Sequence, residues 1–217
     1  SIITQQTQKR KNYNFFFQFD RSFENSFLTF GIGSNKINYN WVEEINSTSY
    51  SYKTKTILSP RVSYNHNLNN SSIFANISHG FSSPNIDETL DENGLVNSEI
   101  KPETGWNYEL GLIGTAKNNI LSYVISLYLM DIKNLLVAQR TNFDTYTGVN
   151  AGRTSHPGLE TTINFPLYRS QGLNISSSNN FSKYWYIFKD FNNRGTDYSQ
   201  NKLTGVPTHT SYSKIKI

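Results

Sequence analysis

Apolar and polar residues take turns along most of this chain. Tyr13, Phe15, Phe17 and Phe19 interleave with Asn12, Asn14, Gln18 and Asp20, and Phe16 is the one break. Leu121, Tyr123, Ile125, Leu127 and Leu129 interleave with Ser122, Val124, Ser126 and Tyr128, and Trp106, Tyr108, Leu110 and Leu112 with Asn107, Glu109 and Gly111. A period of two puts alternate side chains on opposite faces of a pleated strand. The Tyr, Phe, Ile, Thr and Ser that fill it suit a half-buried sheet. No i, i+3, i+4 stripe outlasts about two turns, so the pattern predicts an all-β chain.

The connections carry more information than the strands. Tight turns rich in Asn, Ser or Gly are legible at 21–25, 68–71, 117–119 and 167–172. Between them lie long polar stretches at 42–49, 81–103, 133–146 and 189–206. Short and long connections alternate, with the short turns recurring roughly every 48 residues. A propeller blade packs four strands into a shorter repeat. An up-and-down antiparallel meander of long hairpins, with tight turns at one rim and long loops at the other, fits directly, and that is the layout of a transmembrane barrel.

Three tryptophans, Trp41, Trp106 and Trp185, fall at the long-loop rim, where a membrane-interface belt would collect them. Trp106 shares the phase of the apolar face. Trp41 is out of phase with Leu28, Phe30 and Ile32, which predicts a bulge near Gly31-Ile32-Gly33. The other face, with Arg61, Asn107, Glu109 and Glu160 among its members, is too polar for packed core and reads as a wet lumen. A soluble antiparallel sheet with one solvated face gives the same alternation, so periodicity leaves both readings open.

Composition narrows the field. The 217 residues contain no Cys, which excludes disulfide scaffolds and thiolate chemistry. A mean hydropathy of -0.55 and the lack of any long apolar run exclude a membrane-spanning helix but not a barrel. A net charge of +4 without Lys/Arg blocks gives no reason to expect nucleic acid as a partner. The four histidines, at 66, 79, 156 and 209, lack metal-ligand spacing, and no nucleophile elbow or nucleotide loop is present. Neither an enzyme nor a resident metal or cofactor is expected.

The stretch from Ser78-His-Gly-Phe-Ser-Ser-Pro-Asn-Ile-Asp-Glu-Thr-Leu to Pro102-Glu-Thr-Gly-Trp-Asn-Tyr-Glu-Leu-Gly resembles TonB-dependent outer-membrane receptors. Tyr128-Leu-Met-Asp-Ile-Lys-Asn-Leu-Leu, Asn150-Ala-Gly-Arg-Thr-Ser-His-Pro-Gly-Leu-Glu160 and Gly205-Val-Pro-Thr-His follow in the order of that family. The resemblance covers residues from about 54 to 210 and is strongest to receptors of the ferric-siderophore and ferric-citrate type. It implies a barrel of about 22 strands holding an N-terminal plug that engages TonB. At roughly ten residues per strand, 217 residues supply about nine strands, so the expectation is a partial barrel, 1–217, without plug or last strands.

The implied setting is the bacterial outer membrane, with lipid, a ferric chelate, the plug of the parent chain and, through it, the TonB complex as partners. The implied activity is import of an iron-siderophore or similar chelate, this segment supplying wall and outer loops. A plug-free porin-type barrel and a soluble extracellular adhesin or lectin-like sheet are the alternatives. Ferric chelates are often anionic, and Arg recognises their oxygens bidentately. Arg140, Arg153, His156, Lys189 and Arg194, all near the long-loop rim, are therefore the candidate ligand contacts. Arg61, Asn107, Glu109 and Glu160 are the candidate lumen-facing positions.

Overall fold

Each alternating segment forms a strand, because extended backbone is the conformation that separates its two kinds of side chain onto two faces. The computed structural model describes residues 6–43, 48–85, 87–91, 96–116, 118, 120–140, 146–150, 152–193 and 195–217. The strands are β1 (Gln6–Ser22), β2 (Ser26–Glu43), β3 (Thr48–Lys53), β4 (Ile57–Asn67), β5 (Ser71–Ser82), β6 (Glu103–Ala116), β7 (Leu121–Lys133), β8 (Leu136–Arg140), β9 (Tyr146–Asn150), β10 (Arg153–Ser170), β11 (Leu173–Tyr184), β12 (Ile187–Asp190), β13 (Asn192–Asn193), β14 (Thr196–Asp197) and β15 (His209–Lys216). A single 3-10 turn, Asp87–Thr89, is the only helical element among the described residues. No helix there is long and apolar enough to cross a membrane, which says nothing of crossing by strands.

Nine strands form one antiparallel path, β1-β2-β4-β5-β6-β7-β10-β11-β15. β3 extends the sheet beside the outer half of β2, and β12 pairs with the start of β10. β8 with β9, and β13 with β14, make separate hairpins within the long connections. The short turns close by local bonds: Phe23 N–H donates to Ser26 O at 2.8 Å and Leu68 N–H to Ser71 O at 2.7 Å. Gly172, at φ +87°, supplies the left-handed residue of the β10–β11 turn without steric cost. The β10–β11 ladder slips between Pro166 and Tyr168, beside a proline that has no N–H to give.

Register fixes the faces, because residues directly opposite one another in an antiparallel pair share a side of the sheet. One row runs Val62, Ile77, Tyr108, Leu129, Pro157, and the next Tyr64, Ala75, Leu110, Leu127, Leu159. On the other face run Ser63, Asn76, Glu109, Tyr128, Gly158. No described part of the chain packs a second layer on the apolar rows. Phe15 is 67% exposed, and Leu110 and Leu127 are 55% each.

The bulge expected near Gly31-Ile32-Gly33 is absent. β2 pairs with β1 from Glu43 to Phe27 without a shift, and with β4 from Asn35 to Ser26 likewise. Trp41 is out of phase with Phe30 because it lies on the opposite face, in line with Thr29, Ile37 and Tyr39. Those residues are apolar there because a long connection covers them. Ile37, Tyr39, Trp41 and Tyr52 form a buried apolar cluster, with Phe81, Leu90 and Val96 packed against it.

Candidate functional site

Two constructions stand on the polar face, one at the rim and one lower down. At the rim, the 84–100 connection is held onto the β2–β3 hairpin by tyrosines. Tyr39 donates its hydroxyl to Pro84 O at 3.1 Å, and Tyr52 donates to Ile100 O at 2.8 Å. Thr54 Oγ1 accepts from Ile37 N–H at 2.9 Å. Burial, with Tyr39 beside it, pushes the Tyr52 hydroxyl up to about 12. Trp41, expected beside Trp106 and Trp185 in an outward belt, is instead 2% exposed within this cluster. It points inward because it shares a face of β2 with Ile37 and Tyr39, and Leu90 and Val96 of the connection pack against that face. Trp106 lies on the apolar face, 38% exposed and stacked with Tyr108, and Trp185 is 50% exposed beyond the end of β11.

Lower on the same face, a cavity of about 470 Å³ is lined by Asn107, Glu109, Tyr128, Met130, Glu160, Tyr184, Tyr186, Val206 and Pro207. The Tyr128 and Tyr186 hydroxyls bond to each other at 2.6 Å. His156 stacks on Tyr186 with ring centroids 4.5 Å apart, and its Nε2 lies 2.9 Å from Thr154 Oγ1. Gly158 belongs to the cavity by omission, because a Cβ there would overlap the Tyr128 ring. Its i+2 neighbour Glu160 faces the same way, so a Gly-x-Glu spacing sets an aromatic ring and a carboxylate side by side. The Gly205-Val-Pro-Thr-His segment folds inward to complete the cavity. Tyr184 N–H donates to Thr208 O and Leu203 N–H to Tyr186 O, each at 3.0 Å.

Asn150 and Gly152 of the earlier motif form a clip. Asn150 Oδ1 accepts from Lys101 N–H at 2.9 Å, and its Nδ2 donates to Lys101 O at 3.0 Å and Asn134 O at 2.8 Å. Gly152, at φ +49°, leaves no room for a Cβ against Asp190 O. One side chain thus ties together the ends of three connections.

The candidates from sequence do not converge on one site. Asn107, Glu109 and Glu160 line the lower cavity. Arg61 lies on the same face four strands from Glu160, its stem across Gly31, where a Cβ would sit 2.8 Å from Arg61 Cγ. His156 is 8% exposed at the edge of the cavity group. Arg153 is on the opposite face, its guanidinium bonded to both oxygens of Asp131, with Nε to Oδ1 at 2.6 Å. Lys189 is exposed on β12, Arg140 ends β8 in the separate β8–β9 hairpin, and Arg194 lies outside the described residues. Among the described residues, no group of three or more His, Asp or Glu side chains is placed to hold a metal ion. Sequence reading missed the Tyr128–Tyr186 bond, which joins positions 58 residues apart.

A long antiparallel meander, bare and apolar on one side, polar and cavity-bearing on the other, with elaborated hairpins at a single rim, is the wall of a transmembrane β-barrel. The family model described as "TonB dependent receptor-like, beta-barrel" matches residues 2–212, and the chain belongs to that family. Its fold is that of the ferric citrate transporter FecA in the unliganded form, with a TM-score of 0.74 at 16% identity, over 98% of this chain and 31% of that one. The siderophore receptor PiuA from Acinetobacter baumannii superposes with a TM-score of 0.70 at 15% identity, over 96% and 31%. The copper transporter OprC superposes with a TM-score of 0.67 at 17% identity, over 82% and 29%. At these identities the likeness is one of fold, and the chain spans about a third of the length of these solved relatives. No curated protein sequence matches it. The family is one of transport receptors.

Proposed function

We propose that this chain is barrel wall and outer-loop scaffold of an outer-membrane receptor that imports an iron-siderophore or similar iron chelate with energy from TonB. The observation that carries this reading is the pairing of a bare apolar face with a polar face that bears a 470 Å³ cavity. Acyl chains would solvate the first, and the second would look into the bore. Its Tyr, His and Asn side chains are of the kind that hydrogen-bond the oxygens of a chelate, and the docked 84–100 connection and β8–β9 hairpin stand at the mouth.

Glu109 and Glu160 make no ion pair with any described residue. Two carboxylates beside Tyr128 on the bore side are a seat for cationic side chains, and the plug of the parent receptor is the proposed occupant. On this reading Glu109 and Glu160 hold the plug, while His156 and the rim meet the ligand.

Uptake of radiolabelled iron by cells whose receptor gene is deleted or restored tests the reading. Ferric citrate, a ferric hydroxamate, a ferric catecholate and a copper salt would be offered in separate arms. The expected result is uptake of one ferric chelate that disappears when TonB is deleted. Uptake that survives loss of TonB would replace this reading with a plug-free porin. Uptake of copper alone would keep the energised receptor and overturn its cargo.

A further inference from the structure

Where β5 ends and β6 begins, Ser82 and Glu103 are directly opposite one another in the ladder. With Ser83, Pro84, Glu88 and Leu136 they line a cavity of about 60 Å³. Each carboxylate there is held by one of its oxygens. Glu88 Oε2 accepts from Asn85 N–H at 2.8 Å, while Glu88 N–H donates to Asn85 Oδ1 at 2.8 Å. Glu103 Oε1 accepts from Leu136 N–H at 2.6 Å. Among the described residues neither carboxylate makes an ion pair, and no basic side chain borders the cavity. Ser83 Oγ is buried there and has no hydrogen-bond partner.

Two carboxylates on one small cavity repel, and a buried hydroxyl left unpaired costs its lost hydration. One hard cation answers both, because it takes oxygen from carboxylates and hydroxyls alike. The space suits one ion with a few waters. We propose that Glu88, Glu103 and Ser83 form a calcium site, with Ser82 at its edge. Magnesium demands a near-ideal octahedron, whereas this donor set is irregular and comes from separate segments, which calcium tolerates. Two charged ligands place the affinity at about 10⁻⁴–10⁻³ M, in the range of calcium sites in extracellular modules. The ion pins the 84–100 connection to the ends of β5 and β6 and, through Leu136, to the β8–β9 hairpin. Calcium thereby governs how firmly the rim is docked, whichever cargo passes through the bore.

The test uses the complete receptor in detergent, stripped of calcium with a chelator and retitrated, with bound ion read by flow dialysis of radioactive calcium. Wild type is expected to bind a calcium ion that Glu88→Gln and Glu103→Gln each hold at least about tenfold more weakly. Glutamine can keep the hydrogen bond that each carboxylate now accepts, so the loss reports charge and not folding. Ser83→Ala is expected to change sign with calcium. Without the ion it removes an unpaired hydroxyl, and its thermal midpoint should equal or exceed that of wild type. With millimolar calcium it removes a ligand, and its midpoint should fall below. Hydrogen-exchange protection at Asn97, whose N–H is bonded to Thr89 O next to Glu88, should rise with calcium in wild type and in neither Gln variant. Equal binding by wild type and Glu103→Gln would mean an adventitious ion only and overturn the proposal. So would a Ser83→Ala midpoint that keeps its rank at both calcium levels, or magnesium binding as tightly as calcium.

Discussion

Trp41 offers the sharpest test of the rim, because an aromatic belt and a loop-docking core make opposite demands on it. The side chain is 2% exposed, among Ile37, Tyr39 and Tyr52, with Tyr50 at a ring-centroid distance of 6.3 Å. Truncating a buried aromatic of this size to Ala costs about 3–5 kcal/mol. The loss falls on the docking of the 84–100 connection and not on the barrel, since the β1–β2 ladder at Trp41 is made by backbone atoms that the truncation leaves in place and the β2–β4 ladder ends at Asn35. At about 1.4 kcal/mol per tenfold, Trp41→Ala therefore speeds local opening by roughly two to nearly four powers of ten. Hydrogen exchange reads it at Asn97, whose N–H is bonded to Thr89 O at 2.8 Å. Thermal unfolding in detergent reads the wall separately. Trp106→Ala is the control, since Trp106 is 38% exposed on the opposite face. Unchanged exchange at Asn97 in the Trp41 variant, or equal loosening in both variants, would refute the account of the rim.

Two further outcomes follow from the same contacts. Tyr52 titrates near 12 in the folded chain against an unperturbed value of 10.0, so its contribution to docking is complete below about pH 10 and disappears as pH rises toward 12. The protection factor at Asn97, which removes the base catalysis common to all amides, should fall across that window, and Tyr52→Phe should remove the step. Gly158→Val should lower the thermal midpoint by forcing the Tyr128 ring out of its place, at a cost of about 1–3 kcal/mol. Adding Tyr128→Ala should restore part of that midpoint, and a Gly158→Val chain as stable as wild type would show that the close approach is not tight.

The meander was legible because both of its signals are local. From Leu121 to Leu129 every second residue is apolar, and the Asn, Ser and Gly at the short turns need no partner to declare themselves. The error at β2 arose from a sound rule carried past its domain. Out-of-phase apolar residues call for a bulge only where one face stays apolar along the whole strand. Beyond Ser34 the two sides of β2 change roles, since loop rather than solvent covers Ile37, Tyr39 and Trp41. The site was less legible because it depends on register. Arg153 and His156 are three residues apart and face opposite ways, and nothing within those residues reveals that Asp131 waits across the ladder for Arg153. Asn150 and Gly158 were visible as motif letters, but their reasons, three hydrogen bonds and a ring without room, exist only in the folded chain.

β2 has 18 residues. At about 3.4 Å each it is roughly 60 Å long, while a hydrocarbon layer of about 30 Å crossed at 40–45° occupies only about 40 Å of it. The remainder is a parapet of hydrogen-bonded sheet standing clear of the lipid, and the 84–100 connection leans against it as a separate panel. Such a design uncouples recognition from construction: the panel can be exchanged for one of another length and chemistry while every rung of the rampart beneath keeps its place.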